Sequence, residues 1–71
     1  MFKVYGDNYF KGWELIKTDN DINKIHSVIE NMDARVYRAY ILVERSELLN
    51  QDVVVDRATL DRPKTLNKRR K

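Results

Sequence analysis

The stretch that decides the fold is Ala34-Arg35-Val36-Tyr37-Arg38-Ala39-Tyr40-Ile41-Leu42-Val43-Glu44. Eleven residues pass with no glycine or proline, and β-branched and aromatic side chains dominate. That composition suits a pleated, half-buried strand. Alternation assigns Tyr37, Ala39, Ile41 and Val43 to one apolar face. Val36, Arg38, Tyr40, Leu42 and Glu44 fall on a mixed face.

Upstream, the spacing of apolar residues changes from two to three and four. Ile22, Ile25, His26, Ile29 and Met32 make one stripe of an amphipathic helix, expected over Asp19–Met32. Thr18 and Asp21 form a capping pair at its start. Further upstream, Phe2 and Val4 alternate with Lys3 and Tyr5. Trp13 and Leu15 alternate with Gly12, Glu14 and Ile16. Residues 2–17 therefore read as a β-hairpin, with a turn at Gly6-Asp7-Asn8 and Gly12 as a bulge or close approach. Downstream, Ser46–Asn50 reads as a turn and Asp52–Ala58, centred on three valines, as a fourth strand. The expectation is an α+β fold: a small β-β-α-β-β sheet with one helix packed on one face.

At 71 residues the chain is one domain with a thin core. Charge divides it. Residues 1–61 carry eight basic and eleven acidic side chains, net −3; residues 62–71 carry six basic and none acidic. The expected organisation is a single domain over 1–61 followed by a flexible basic tail over 62–71. No cysteine is present, so disulfides, thiolate nucleophiles and cysteine–zinc sites are excluded. Met1–Tyr5 lacks the apolar run of a secretory signal, and no stretch suits a membrane span. The expected compartment is cytoplasmic, with no membrane contact.

Catalytic chemistry is sparse. His26 is the single histidine, and it reads as a boundary residue packing its ring. Ser27 beside it points about 100° away on a helix and does not face it. Asp52 and Asp56 share a strand face by alternation and read as solvated charge. Asp19, Asp21, Asn23 and Glu30 match four positions of a calcium-loop pattern, but Lys24 stands where that loop needs glycine. Helix capping is the better reading. No phosphate-cradling glycine loop exists. The chain is thus expected to be non-enzymatic and to carry no cofactor.

Binding remains. One short helix covers one side of a sheet, and the other side is left open. The expected function is a protein-binding module acting through that open face on a larger protein: a small inhibitor, adaptor or regulatory subunit. Its expected anchors are Arg38, Tyr40, Trp13, Tyr9 and Leu42, with Trp13 also weighed as the largest core residue. The alternative is RNA or DNA binding through the tail cations Arg62, Lys64, Lys68, Arg69, Arg70 and Lys71, helped by the sheet aromatics Tyr37 and Tyr40. The last four tail cations also fit a nuclear-import address. A third outcome is symmetric pairing of open faces into a homodimer, which would add stability to a thin core.

Overall fold

The structure, a computed structural model, describes residues 1–60. The six basic residues expected to form the tail lie outside the described residues. The fold is α+β: four antiparallel strands in one open sheet with a single helix, in the order β-β-α-β-β. The elements are β1 (Phe2–Asn8), β2 (Gly12–Asp19), α1 (Ile22–Glu30), β3 (Tyr37–Ser46) and β4 (Gln51–Thr59). Across the sheet the strands run β2-β1-β3-β4, so β1 and β3 are central and β2 and β4 are edges.

Each connection has a local cause. The first hairpin turns at Tyr9–Lys11 rather than at Gly6–Asn8, which belong to β1. Asn8 makes that turn: its Oδ1 accepts from the amides of Phe10 (2.8 Å) and Lys11 (3.2 Å). Gly12 then supplies a φ of +81° where β2 begins, a conformation costly for any side chain. The helix is shorter than expected because Asp21, not Thr18, caps it. The Asp21 carboxylate accepts from the Asn23 amide at 2.9 Å. Asn31 ends it, its side-chain amide donating to the Ser27 carbonyl. Asp33 closes the following turn, accepting Val36 and Tyr37 amides on its carbonyl and the Arg35 amide on its side chain. The β3–β4 turn has Asn50 at φ 55°, which asparagine tolerates.

The core is small. Val4 of β1, Ile25 of α1 and Leu42 of β3 are fully enclosed. Phe2, Ile16, Ile22, Val28, Ile29 and Tyr40 pack around them. The helix lies mainly over β1 and β2, and every residue of β4 is exposed.

Three register shifts decide which side chains share a face. Ile16 is the extra residue of β2, Arg38 of β3 and Val55 of β4. Two differences change the expected faces of β3: the helix covers the side of Tyr40 and Leu42, and the shift at Arg38 moves Tyr37 onto that side. Tyr37 joins Tyr40 and Leu42 on the helix side, while Ala39, Ile41 and Val43 face away. Leu42, expected on the open face, is 1% exposed and part of the core. Tyr40 likewise packs against the core, and its hydroxyl donates to Asp56 at 2.8 Å. The shift at Val55 separates Asp52 from Asp56. Asp52 stands opposite Arg45 on the open side, and Asp56 opposite Leu42 on the helix side. The two carboxylates expected together therefore sit on opposite faces.

Candidate functional site

The site is the sheet face opposite the helix. Its layout follows from alternation and register. On β1, Lys3, Tyr5 and Asp7 point away from the core beneath Val4 and Gly6. Tyr5 stands between Leu15 of β2 and Ile41 of β3; Asp7 stands between Trp13 and Ala39; Lys3 stands between Thr18 and Val43. On the far side, Ile41 faces Arg57 and Val43 faces Val54. The apolar members form a diagonal stripe across all four strands: Trp13 and Leu15, then Tyr5, then Ile41 and Val43, then Val54. Trp13, Leu15 and Val54 are each more than half exposed. A shallow depression of about 370 Å³ runs along the stripe, lined by Tyr5, Trp13, Ile41, Val43, Asp52 and Val54.

Charges flank the stripe. Asp52 receives Lys3 at 3.7 Å and Arg45 at 3.9 Å. Asp7 receives Arg38 at 3.6 Å. Arg38 also lies over the Tyr9 ring, 4.9 Å from its centroid. Four cations against two carboxylates leave this face with excess positive charge. The ion pairs are solvated, and each contributes at most about 1 kcal/mol to stability. Leu60, the last described residue, donates its amide to the Arg38 carbonyl at 2.8 Å.

The helix side is built differently. Gly6 is buried there because the Tyr37 ring lies on it; a Cβ at this position would come within 2.7 Å of that ring and 2.9 Å of Met32. The Tyr37 hydroxyl donates to Glu14 at 2.9 Å, and Asn8 donates to the same oxygen at 3.3 Å. The Glu14 carboxylate, with burial behind it, raises the Tyr37 phenol above its ordinary value of 10.0. Tyr40 is raised as well, chiefly by burial and then by its bond to Asp56. Asp33 is held below the usual carboxylate range by Arg35, and Asp19 by the Asp21 amide. The Asp19 and Asp21 carboxylates, singled out in the calcium-loop pattern, each accept a backbone amide at the start of α1.

Of the expected anchors, Trp13 lies on the stripe, and Tyr9 and Arg38 lie together at its end. Tyr40 and Leu42 belong to the helix side. Tyr37, expected beside Tyr40 as a stacking aromatic, is there too. The sequence reading missed Tyr5, Leu15, Ile41, Val43 and Val54 as members of one surface. The signal for them was present in the alternation of β1 and β2, which put Tyr5, Trp13 and Leu15 opposite Phe2, Val4 and Ile16. His26 and Ser27 are exposed on α1. Among the described residues, no group of three or more histidines or carboxylates converges as a metal site, and no helix is long and apolar enough to cross a membrane. Compared with protein families, curated proteins and solved structures, the chain finds no match.

Proposed function

We propose that the chain is a non-enzymatic protein-binding module that seats another protein on the open sheet face. One observation carries the reading. Six large apolar side chains, from Trp13 to Val54, form a continuous stripe on a face that no described segment covers. A contiguous apolar patch rimmed by charge is the physical signature of a macromolecular contact. The edges are poorer candidates. Both edge strands contain the extra residue of their hairpin, Ile16 in β2 and Val55 in β4, and β4 presents Asp52, Asp56 and Arg57. Bulges and charges of this kind blunt strand-to-strand addition. The face is therefore the available surface.

The test is affinity capture with a charge placed in the stripe. Leu15→Glu sits at an exposed edge position and is expected to remove capture of a partner while leaving the far-ultraviolet circular dichroism spectrum unchanged. Retained capture by the folded variant rejects the reading.

A second reading has one observation in its favour. Tyr5 and Trp13 are diagonal neighbours on a face that also presents Lys3, Arg38, Arg45 and Arg57. Aromatics among cations suit single-stranded nucleic acid. Leu15, Ile41, Val43 and Val54 weaken this reading, since aliphatic side chains give bases little to stack on. The six C-terminal cations add up to six phosphate contacts, for which the expected slope of log affinity against log salt on a single strand is about −4. Deleting residues 62–71 and measuring binding to a random oligonucleotide at low salt separates the two.

A further inference from the structure

We propose that the occupant of the open face is a second copy of this chain, packed sheet on sheet. This inference rests on the reading of that face as a protein-docking surface and names its partner. Three observations carry it.

The first is the economy of the core. Among the described residues only the side chains of Val4, Ile25 and Leu42 are fully enclosed, while Trp13, Leu15, Tyr5, Ile41, Val43 and Val54 share the face across the sheet. A chain of this length gains much of what it lacks by association. Two such faces, stacked about 10 Å apart, interdigitate into a second apolar layer.

The second is area. Four strands at about 4.8 Å spacing, seven to ten residues long, present a face of about 19 by 24–34 Å. With side-chain relief, that approaches the roughly 800 Å² per partner of a stable interface.

The third is charge complementarity under a two-fold axis. Asp7 and Arg57 lie on the same flank of the apolar stripe. Asp7 is beside Trp13 at one end, and Arg57 is beside Ile41 toward the other. An axis lying between the sheets and perpendicular to the stripe lays stripe on stripe with its direction reversed. That places Arg57 of each copy above Asp7 of the other, twice over. The alternative axis, along the stripe, sets Arg57 against Lys3, a like-charge contact, and forms no opposite-charge pair in exchange. Of the two orientations, only the first gains an opposite-charge pair, and it gains it twice, as the symmetry of an isologous contact requires. Asp7 already receives Arg38 from its own chain, and Asp52 demonstrates on the same face that one carboxylate serves two cations.

The experiment is sedimentation velocity of the full chain from low micromolar to submillimolar concentration, with Trp13 fluorescence followed in parallel. Trp13 is the only tryptophan and sits on the face. The expected result is a concentration-dependent species of twice the 8.5 kDa monomer mass, with a blue shift of the emission as it forms. Arg57→Asp and Asp7→Arg each weaken association at least tenfold, and the double reversal restores it. Leu15→Glu, an exposed edge position, yields a folded monomer. A monomer at every concentration overturns the proposal. So does a dimer insensitive to Leu15→Glu, or one in which the double reversal fails to rescue. If the wild-type chain is monomeric yet Leu15→Glu abolishes capture of another protein, the second copy is wrong and the docking reading stands. If neither association nor capture responds, both fall. A Trp13 change elicited only by a single-stranded oligonucleotide assigns the face to nucleic acid and overturns both.

Discussion

On the helix side the Tyr37 ring packs on the backbone of Gly6. The absence of a Cβ at Gly6 lets the Tyr37 ring lie on β1, which in turn delivers its hydroxyl to Glu14. Gly6→Ala forces the ring or the strand to move and is expected to lower stability by about 1–3 kcal/mol, read as a shifted urea midpoint. The contact is not conformational strain at glycine; it is a clash with a named ring, so pairing Gly6→Ala with Tyr37→Leu should recover part of the loss. The phenols carry a pH signature. Tyr37 and Tyr40 have folded-state values raised above 10.0, the first by its carboxylate acceptor, the second by burial. A raised value means the contribution is intact below the unfolded-state value and is lost as pH rises through the folded one. Stability should therefore fall on the alkaline side of about pH 10. Tyr37→Phe should flatten that limb, since it leaves no phenol to ionise beside Glu14. An unchanged alkaline limb in the variant would remove Tyr37 from the account.

At the scale of elements, order was legible, and facing was legible for β1 and β2 but not for β3. Change of period from two to three or four marked the helix between two pairs of strands, and the strands fall where alternation put them, within a few residues. The faces of β1 and β2 also followed from alternation, because Phe2, Val4 and Ile16 contrast with Lys3, Tyr5 and Trp13. On β3 both faces are half apolar. Alternation then cannot say which face the helix covers, and one extra residue at Arg38 transfers Tyr37 to the opposite side. A bulge leaves no compositional mark of its own here: Arg38, Ile16 and Val55 are ordinary strand residues. The helix boundary failed for a related reason. Thr18 and Asp21 both suit a cap, and only the chain path shows that Thr18 still pairs with Lys3 in β2. This yields a direct comparison. The helix has nine residues, too few to persist without its cap and its packing. Asp21→Ala is expected to cost about 1 kcal/mol. Thr18→Ala, at an exposed position of an edge strand, should stay within about 0.5 kcal/mol. Thermal unfolding followed at 222 nm ranks the two, and a larger effect at Thr18 would reassign the cap.

For the molecule as a whole, the sheet divides its apolar residues between an enclosed side and an open one, and mutation can tell them apart. The helix side encloses Leu42 completely, between Val4 of the neighbouring strand and Ile25 of the helix. Removing its side chain leaves a cavity among residues with little else to close over it, at a cost of about 2–5 kcal/mol. For a chain of this size that is a large share of total stability, which runs near the low end of about 5–15 kcal/mol. Leu42→Ala should therefore unfold at a much lower denaturant concentration. Trp13 is the larger residue, yet 53% of it is already in solvent. Its contacts within the chain are those of one strand surface, and such cross-strand packing is worth about 0.2–1 kcal/mol. Trp13→Ala, measured dilute enough that only monomer is present, should shift the midpoint by no more than that. Raised in concentration, the wild type should gain stability as copies associate, because a species that binds only the folded state adds to it by mass action. Trp13→Ala should gain almost nothing over the same range. The pair of midpoints, dilute and concentrated, thus separates the residue that holds the fold from the residue proposed to meet a second copy. If Trp13→Ala proved as damaging as Leu42→Ala in dilute solution, the face opposite the helix would be core in its own right and not a docking surface.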